Sequence, residues 1–256
     1  MAARAFITGA ASGIGCASAR LFAANGWSVG LLDRDATGLQ RLRAELGADR
    51  ATAWPCDVTD SAALEHALQA FCDGGDGRLD VLVNSAGVLH TGPFEDMPAA
   101  AHHELVDVNS RALLDCLRLA FPALRRARGC VVNIASASAS YGTPDFATYS
   151  ASKMFVRGLS QALEIEWRRH GIRVACVMPS FVSTPMIAGR HIAAMRHLGT
   201  PLSPEAVAEV VWRAAHGNRL EWHVGRRYRL LRALSEPLPA DFKRAMMRWL
   251  SAYRVG

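Results

Sequence analysis

The 256-residue sequence predicts one α/β domain, a parallel sheet doubly wound by helices on both faces. Three observations carry that reading. Short apolar runs alternate strictly with longer amphipathic stretches, as in strand–helix–strand units joined by right-handed crossovers. Several runs are apolar at nearly every position, which suits strands covered on both faces. The first run also opens directly into a glycine-rich turn and a helical pattern, Thr8-Gly-Ala-Ala-Ser-Gly-Ile-Gly15.

In chain order, strands are expected at Ala5–Thr8, Ser28–Leu32, Ala51–Pro55, Val81–Asn84, Cys130–Ala135 and Arg173–Val177, with a short last one at Trp222–Val224. Helices are expected at Gly13–Ala24, Ala36–Leu46, Ser61–Phe71, Pro98–Ala127, Tyr149–Arg169 and Pro204–His216. Residues 179–201 do not extend the sheet and read as an irregular or helical insertion, a substrate lid. Residues 218–256 form a basic C-terminal extension of the single domain 1–256, with Asp241–Tyr253 patterned as a short amphipathic helix.

The composition, 50% hydrophobic and 20% charged, is that of an ordinary globular protein. No apolar run approaches the roughly 20 residues that span a bilayer. The N-terminus passes at once into strand-like sequence without a signal peptide, so a cytoplasmic location is expected. The six cysteines (Cys16, Cys56, Cys72, Cys116, Cys130 and Cys176) include no C-x-x-C pair, which favours reduced, buried thiols over disulfides or zinc. His102 and His103 are adjacent on a helix and point about 100° apart, a poor chelate, so they read as surface residues and no metal is expected. The net charge of +6 is local: from Arg213 onward ten basic residues face three acidic ones, leaving the rest of the chain near neutral. Without a nucleic-acid-binding motif, this tail reads as solvated or subunit-contacting, with peripheral contact to an anionic membrane as the sharper alternative.

The glycine turn predicts a dinucleotide site. Gly9 permits the tight exit from the strand, Gly13 lets backbone approach a pyrophosphate, and Gly15 lets the helix pack close to the sheet. Amide groups at the helix start, around Ser12 and Ile14, favour the phosphate charge. Asp33 ends the second strand, where a carboxylate can hold both adenosine ribose hydroxyls and repel a 2′-phosphate, favouring NAD. Arg34 beside it can stack on adenine or pair with a 2′-phosphate, which keeps NADP open. Asp57 and Val58 follow the third strand near the adenine, and Asn84-Ser-Ala-Gly87 ends the fourth, with Ala86 and Gly87 leaving room and Asn84 bracing the loops.

The second half carries acid–base chemistry. Tyr149 and Lys153 lie one turn apart on one helix face. An ammonium beside a phenol, with a positively charged nicotinamide, favours the phenolate and brings its pKa down from about 10 toward working pH. Lys153 can also hold the nicotinamide ribose. Ser136 ends the fifth strand, where a hydroxyl can steady the substrate oxygen. The Asn109 amide can hold a water that links Lys153 to solvent.

Thr8–Gly15, Asn84–Gly87, Asn109, Ser136 and Tyr149–Lys153 together resemble the motif set of classical short-chain dehydrogenases/reductases over residues 4 to 185 or so. The resemblance implies a catalytic tetrad of Asn109, Ser136, Tyr149 and Lys153 and a Rossmann sheet of about seven parallel strands. It also implies a homodimer or homotetramer paired through the helices carrying Asn109 and Tyr149. Pro179-Ser-Phe-Val-Ser-Thr184 resembles the family's Pro-Gly segment, so that Pro179, Val182 and Thr184 would contact the nicotinamide end; Ser180 stands where the family has glycine. The region Glu221–Gly225 is loosely similar to the retinol- and hydroxysteroid-dehydrogenase branch.

Phe181, Met186, Ile187, Ile192 and Met195 give the 179–201 insertion an apolar side, and His90, Phe94 and Tyr141 are further pocket candidates. The expected function is hydride transfer between NAD and a secondary alcohol or ketone of an apolar small molecule, with Tyr149 as acid/base. An NADP-dependent carbonyl reductase is the alternative. A non-catalytic dinucleotide-binding regulator ranks below both, since it would be expected to lose Tyr149 or Lys153.

Overall fold

Strand polarity sets the architecture of this computed structural model, which describes residues 2–189 and 200–251. Seven strands, β1 (Arg4–Thr8), β2 (Ser28–Asp33), β3 (Ala51–Pro55), β4 (Val81–Asn84), β5 (Cys130–Ile134), β6 (Arg173–Pro179) and β7 (Glu221–Val224), form one sheet in the order β3-β2-β1-β4-β5-β6-β7. Every neighbouring pair is parallel. The order reverses between β1 and β4, so the loops at their carboxyl ends diverge and leave a crevice there.

The helices are α1 (Gly13–Ala24), α2 (Ala36–Leu46), α3 (Ser61–Asp73), α4 (Ala99–Val106), α5 (Ala112–Ala127), α6 (Ala147–Arg168), α7 (Pro204–His216), α8 (Arg226–Ser235) and α9 (Ala240–Ser251). The continuous apolar runs have a simple cause: successive side chains point to opposite faces, and both faces are covered. Phe6, Leu82 and Val131 pack with Leu68 and Phe71 of α3 and Leu117 and Leu124 of α5. Their neighbours Ile7, Val83 and Val132 pack on the other face with Phe22 of α1 and Val207 and Val211 of α7. Burial of such side chains is the main stabilising term, each contributing about 1.5–3 kcal/mol.

Several boundaries correct the sequence reading. The expected helix Pro98–Ala127 is interrupted by a π turn at Asp107–Arg111 between α4 and α5. The helix bearing Tyr149 begins at Ala147, so Tyr149 sits inside the first turn rather than opening it. The basic tail holds two helices, and α8 has no counterpart in the sequence reading. Ile192, Met195 and Tyr253 lie outside the described residues. His102 is no bare surface residue: its Nδ1 pairs with Thr148 Oγ1 at 2.7 Å and its Nε2 with the Phe94 carbonyl at 3.1 Å, tying α4 to α6. All six cysteines are free and buried, and burial pushes the Cys116 and Cys176 thiols up to about 12. Among the described residues no cluster could hold a metal, and no helix is long and apolar enough to cross a membrane.

Candidate active site

The crevice is a cavity of about 860 Å³ at the carboxyl ends of the strands. Its cofactor wall begins at the glycine turn. A Cβ on Gly15 would stand 2.1 Å from the Gly9 carbonyl oxygen, so only glycine lets α1 approach β1 this closely. Gly13 has φ +54°, and a Cβ there would meet the Thr184 methyl at 2.9 Å. Gly9, Ser12, Gly13, Ile14, Asp33, Arg34, Asp57, Val58, Ala86, Gly87, Pro179, Val182 and Thr184 all border the cavity. Gly15 lies behind it as a packing residue. Thr8 Oγ1 accepts from the Ser85 and Ala86 amides at 3.2 and 3.1 Å, which locks the β1 and β4 loops together.

The Asp33 carboxylate accepts from the Ala11 amide and the Asp35 amide, each at 3.0 Å. Those bonds fix it at the end of β2 and leave further lone pairs on both oxygens. Asp57 accepts from the Thr59 amide and hydroxyl at 2.9 and 2.7 Å, and these bonds hold its carboxyl below the usual range. Arg34 leans toward α4, with Nη1 3.4 Å from Glu104, whose other oxygen meets His90 Nε2 at 2.7 Å. Glu104 is a site residue the sequence reading missed; nothing in its local pattern marks it.

Tyr149, Lys153 and Ser136 share the opposite wall of the same cavity. The buried Lys153 places its Nζ 5.8 Å from the Tyr149 ring centroid and donates to the Ile134 carbonyl at 3.1 Å. Burial brings its pKa down to about 8. Burial pushes the Tyr149 phenol up, while a hydrogen bond with Ser136 works the other way. Burial outweighs the Ser136 bond, so the net direction for the phenol is upward.

Asn84 and Asn109 do not reach the main cavity. Asn109 braces the loop after β4: its Oδ1 accepts from the Val88 amide at 2.9 Å and its Nδ2 donates to the Val88 carbonyl at 3.0 Å. The π turn aims it there, as such bulges re-aim side chains at functional sites. Both Nδ2 protons are thus committed, the second to Ser152 Oγ at 3.1 Å. Asn84 donates to Asn133 Oδ1 at 2.8 Å, and its own buried Oδ1 has no hydrogen-bond partner. A second cavity of about 20 Å³, bordered by Asn84, Asn109 and Lys153, lies beneath the first. That is room for one water.

His90, Tyr141, Phe181, Met186 and Ile187 line the main cavity, whereas Phe94 lies outside it, exposed, with its ring tilted against His102 at 4.5 Å between centroids. Ser180 keeps a negative φ, and its hydroxyl fits against Gly225, where a Cβ would stand 2.6 Å from Oγ; the turn does not need glycine at position 180. The sequence reading treated the tail as an appendage. Instead Tyr228, Leu231 and Arg232 of α8 and Met246, Met247 and Leu250 of α9 form a wall of the pocket.

The short-chain dehydrogenase family model matches residues 3–193. The chain belongs to that family. It is accordingly an NAD(P)-linked oxidoreductase of the class acting on CH–OH groups. Among curated relatives, D-threitol dehydrogenase of Mycolicibacterium smegmatis is 37% identical over 185 residues, 71% of each chain. Among solved structures, the Brucella melitensis 3-ketoacyl-(acyl-carrier-protein) reductase complexed with NADH superposes with a TM-score of 0.81 at 30% identity, covering 87% of this chain and 96% of that one. A Mycobacterium paratuberculosis short chain dehydrogenase bound to NAD gives 0.80 at 26% identity, covering 88% and 97%.

Proposed function

We propose that this family member oxidises a secondary alcohol to a ketone, or the reverse, on a small molecule with an apolar body, using NAD(H) and Tyr149 as the acid/base. One observation carries the reading: Tyr149, Ser136 and Lys153 share one wall of a cavity whose other wall is the glycine turn and Asp33. The glycine cradle, the free amides of the α1 start and the Asp33 carboxylate fit a dinucleotide. When bound, that group supplies the site that takes or gives the hydride and, oxidised, a positive charge near the phenol.

In the oxidative direction the Tyr149 phenolate takes the alcohol proton while Ser136 donates to the substrate oxygen. Lys153 holds its positive charge beside Tyr149 and passes the proton on toward the lower cavity bordered by Asn84 and Asn109. Phe181, Met186, Ile187 and the α8–α9 wall exclude water from the reacting carbon. NAD is favoured over NADP because Asp33 would repel a 2′-phosphate and Arg34, the cation that would receive it, is directed to Glu104. The name of the Mycolicibacterium relative accords with a small alcohol substrate. Subunit pairing through α5 and α6 is supported by exposed Leu114, Phe155 and Ile165 on those helices.

The test is oxidation of a panel of secondary alcohols, followed by absorbance of the reduced dinucleotide. Tyr149→Phe should lower turnover by about 10³-fold, while NAD still raises the unfolding midpoint of the variant. Turnover retained within tenfold in Tyr149→Phe refutes the assignment.

A further inference from the structure

A chain of polar side chains runs behind one end of the cavity, and its hydrogen bonds have no part in the proton and hydride steps above. It starts at Glu221 on β7. That carboxylate meets Arg157 of α6 through Nε at 2.6 Å and Nη2 at 3.2 Å, Gln161 Nε2 at 3.0 Å, Arg232 Nη2 at 3.5 Å and His223 Nε2 at 3.2 Å. His223 Nδ1 lies 3.3 Å from the Tyr228 hydroxyl, which lies 2.8 Å from Ser140 Oγ. Ser140 and Tyr228 both border the cavity, and Ser140 is exposed to it.

The donors along this chain can be ordered. These contacts, led by the His223 bond, hold the Glu221 carboxyl down at about 2, so it is ionised and only accepts. In the neutral His223 ring that donates Nε2–H to Glu221, Nδ1 is left as an acceptor. Tyr228 gives its single proton to Nδ1. The Ser140 hydroxyl consequently donates to Tyr228, and its remaining lone pairs face the cavity. The guanidiniums bordering this end are already engaged, Arg157 with Glu221 and the Ala139 carbonyl, Arg232 with Glu221 and Glu236. Lys243, which also borders the cavity, donates to the Glu236 carbonyl at 2.9 Å; beside these paired cations Ser140 presents a neutral acceptor.

We propose that Ser140, oriented by Tyr228 and the His223–Glu221 chain, is a substrate subsite that accepts a hydrogen bond from a second hydroxyl of the substrate. Ser140 follows the 3₁₀ turn Ala137–Ala139 that begins at Ser136. Both ends of the substrate are thus read from one short segment, about 8 Å apart along a turn rising roughly 2 Å per residue. Tyr228, His223 and Glu221 are positioning residues, and the substrate class is a diol or polyol with an apolar flank. This rests on the alcohol-dehydrogenase reading above.

The experiment compares kcat/KM for 2,3-, 2,4- and 2,5-diols, their monomethyl ethers and the plain 2-alcohols. A methyl ether oxygen can accept but cannot donate, and the Ser140→Ala comparison controls for its added methyl. At one spacing the diol should exceed its ether by about tenfold, the worth of one hydrogen bond of roughly 1.4 kcal/mol. Ser140→Ala should bring that ratio within twofold. Tyr228→Phe should do the same by releasing the Ser140 proton to serve the ether, a change of preference that a merely structural role would not produce. The ratio of Kd values for diol and ether in the presence of NADH should follow the same pattern. Diols, ethers and plain alcohols oxidised equally at every spacing, or a ratio that survives Ser140→Ala, overturns the subsite and leaves the dehydrogenase reading standing. No turnover of any alcohol with either dinucleotide overturns both.

Discussion

Replacing Asp33 and Glu104, singly and together, locates the dinucleotide preference. The Arg34–Glu104 pair is 3.4 Å long with side chains 63% and 37% exposed. Pairs of that kind contribute about 0.2–1 kcal/mol, so Glu104→Gln frees Arg34 for a 2′-phosphate with a gain of about fivefold at most. Asp33 acts more strongly. It is fixed by two backbone amides at 3.0 Å, and a unit charge about 4 Å away across an effective dielectric near 20 costs about 4 kcal/mol, less with partial exposure. On the order of 2–4 kcal/mol corresponds to a preference for NAD of about 30- to 1000-fold. Asp33→Ala should bring NAD and NADP near parity, and the double variant should prefer NADP. The assay is the unfolding midpoint with each dinucleotide, read against each variant's own ligand-free midpoint because Asp33→Ala also removes two turn hydrogen bonds. A ligand at about 100 times its Kd adds about 2.7 kcal/mol. A swing above about 30-fold from Glu104→Gln alone refutes the ranking of the two effects, and NADP preferred by the wild type refutes the NAD assignment.

Three further outcomes follow from the geometry. Glu221, held at about 2 against an ordinary 4.5, adds stability that is complete above pH 4.5 or so and is lost as pH falls through 2. Between neutral pH and about pH 3 the wild type should lose about 2 kcal/mol more than Glu221→Gln in urea unfolding, and parallel pH curves would contradict this. Gly15→Ala forces a Cβ to 2.1 Å from the Gly9 carbonyl and should lower stability by about 1–3 kcal/mol or more together with dinucleotide affinity; calorimetry checks both. Asn109→Ala frees both backbone groups of Val88, so hydrogen exchange at the Val88 amide should quicken by about tenfold or more; an unchanged rate would show that the brace is dispensable.

The layout of the sheet was legible because period and burial agree: runs such as Val81–Asn84 are covered on both faces, and that requirement is written into every residue. The glycine turn was legible because Gly9 and Gly13 take positive φ and Gly15 packs against the Gly9 carbonyl, demands that belong to the turn itself. The π turn was not, since Asp107-Val-Asn-Ser-Arg111 contains no glycine or proline and satisfies an α-helical pattern equally well. The π turn goes with the Asn109–Val88 bonds, 21 residues apart, which no local window contains. The α8 wall was hidden for a related reason. Arg226-Arg-Tyr-Arg reads as a charged tail, and only the packing of Tyr228 against Ser140, 88 residues earlier, gives it an inside. Glu104 and Glu221 were missed because an acidic residue acquires meaning from the cation that folding brings to it.

The wall formed by α8 and α9 separates two kinds of inheritance in one chain. The glycine turn and the proposed trio of Ser136, Tyr149 and Lys153 precede Thr184, while Tyr228, Leu231, Met246, Met247 and Leu250 arrive only after the last strand. Part of the proposed substrate pocket is thus a cassette that follows the sheet and joins it at β7. Exchanging that cassette between relatives should transplant substrate range while leaving dinucleotide choice with the recipient.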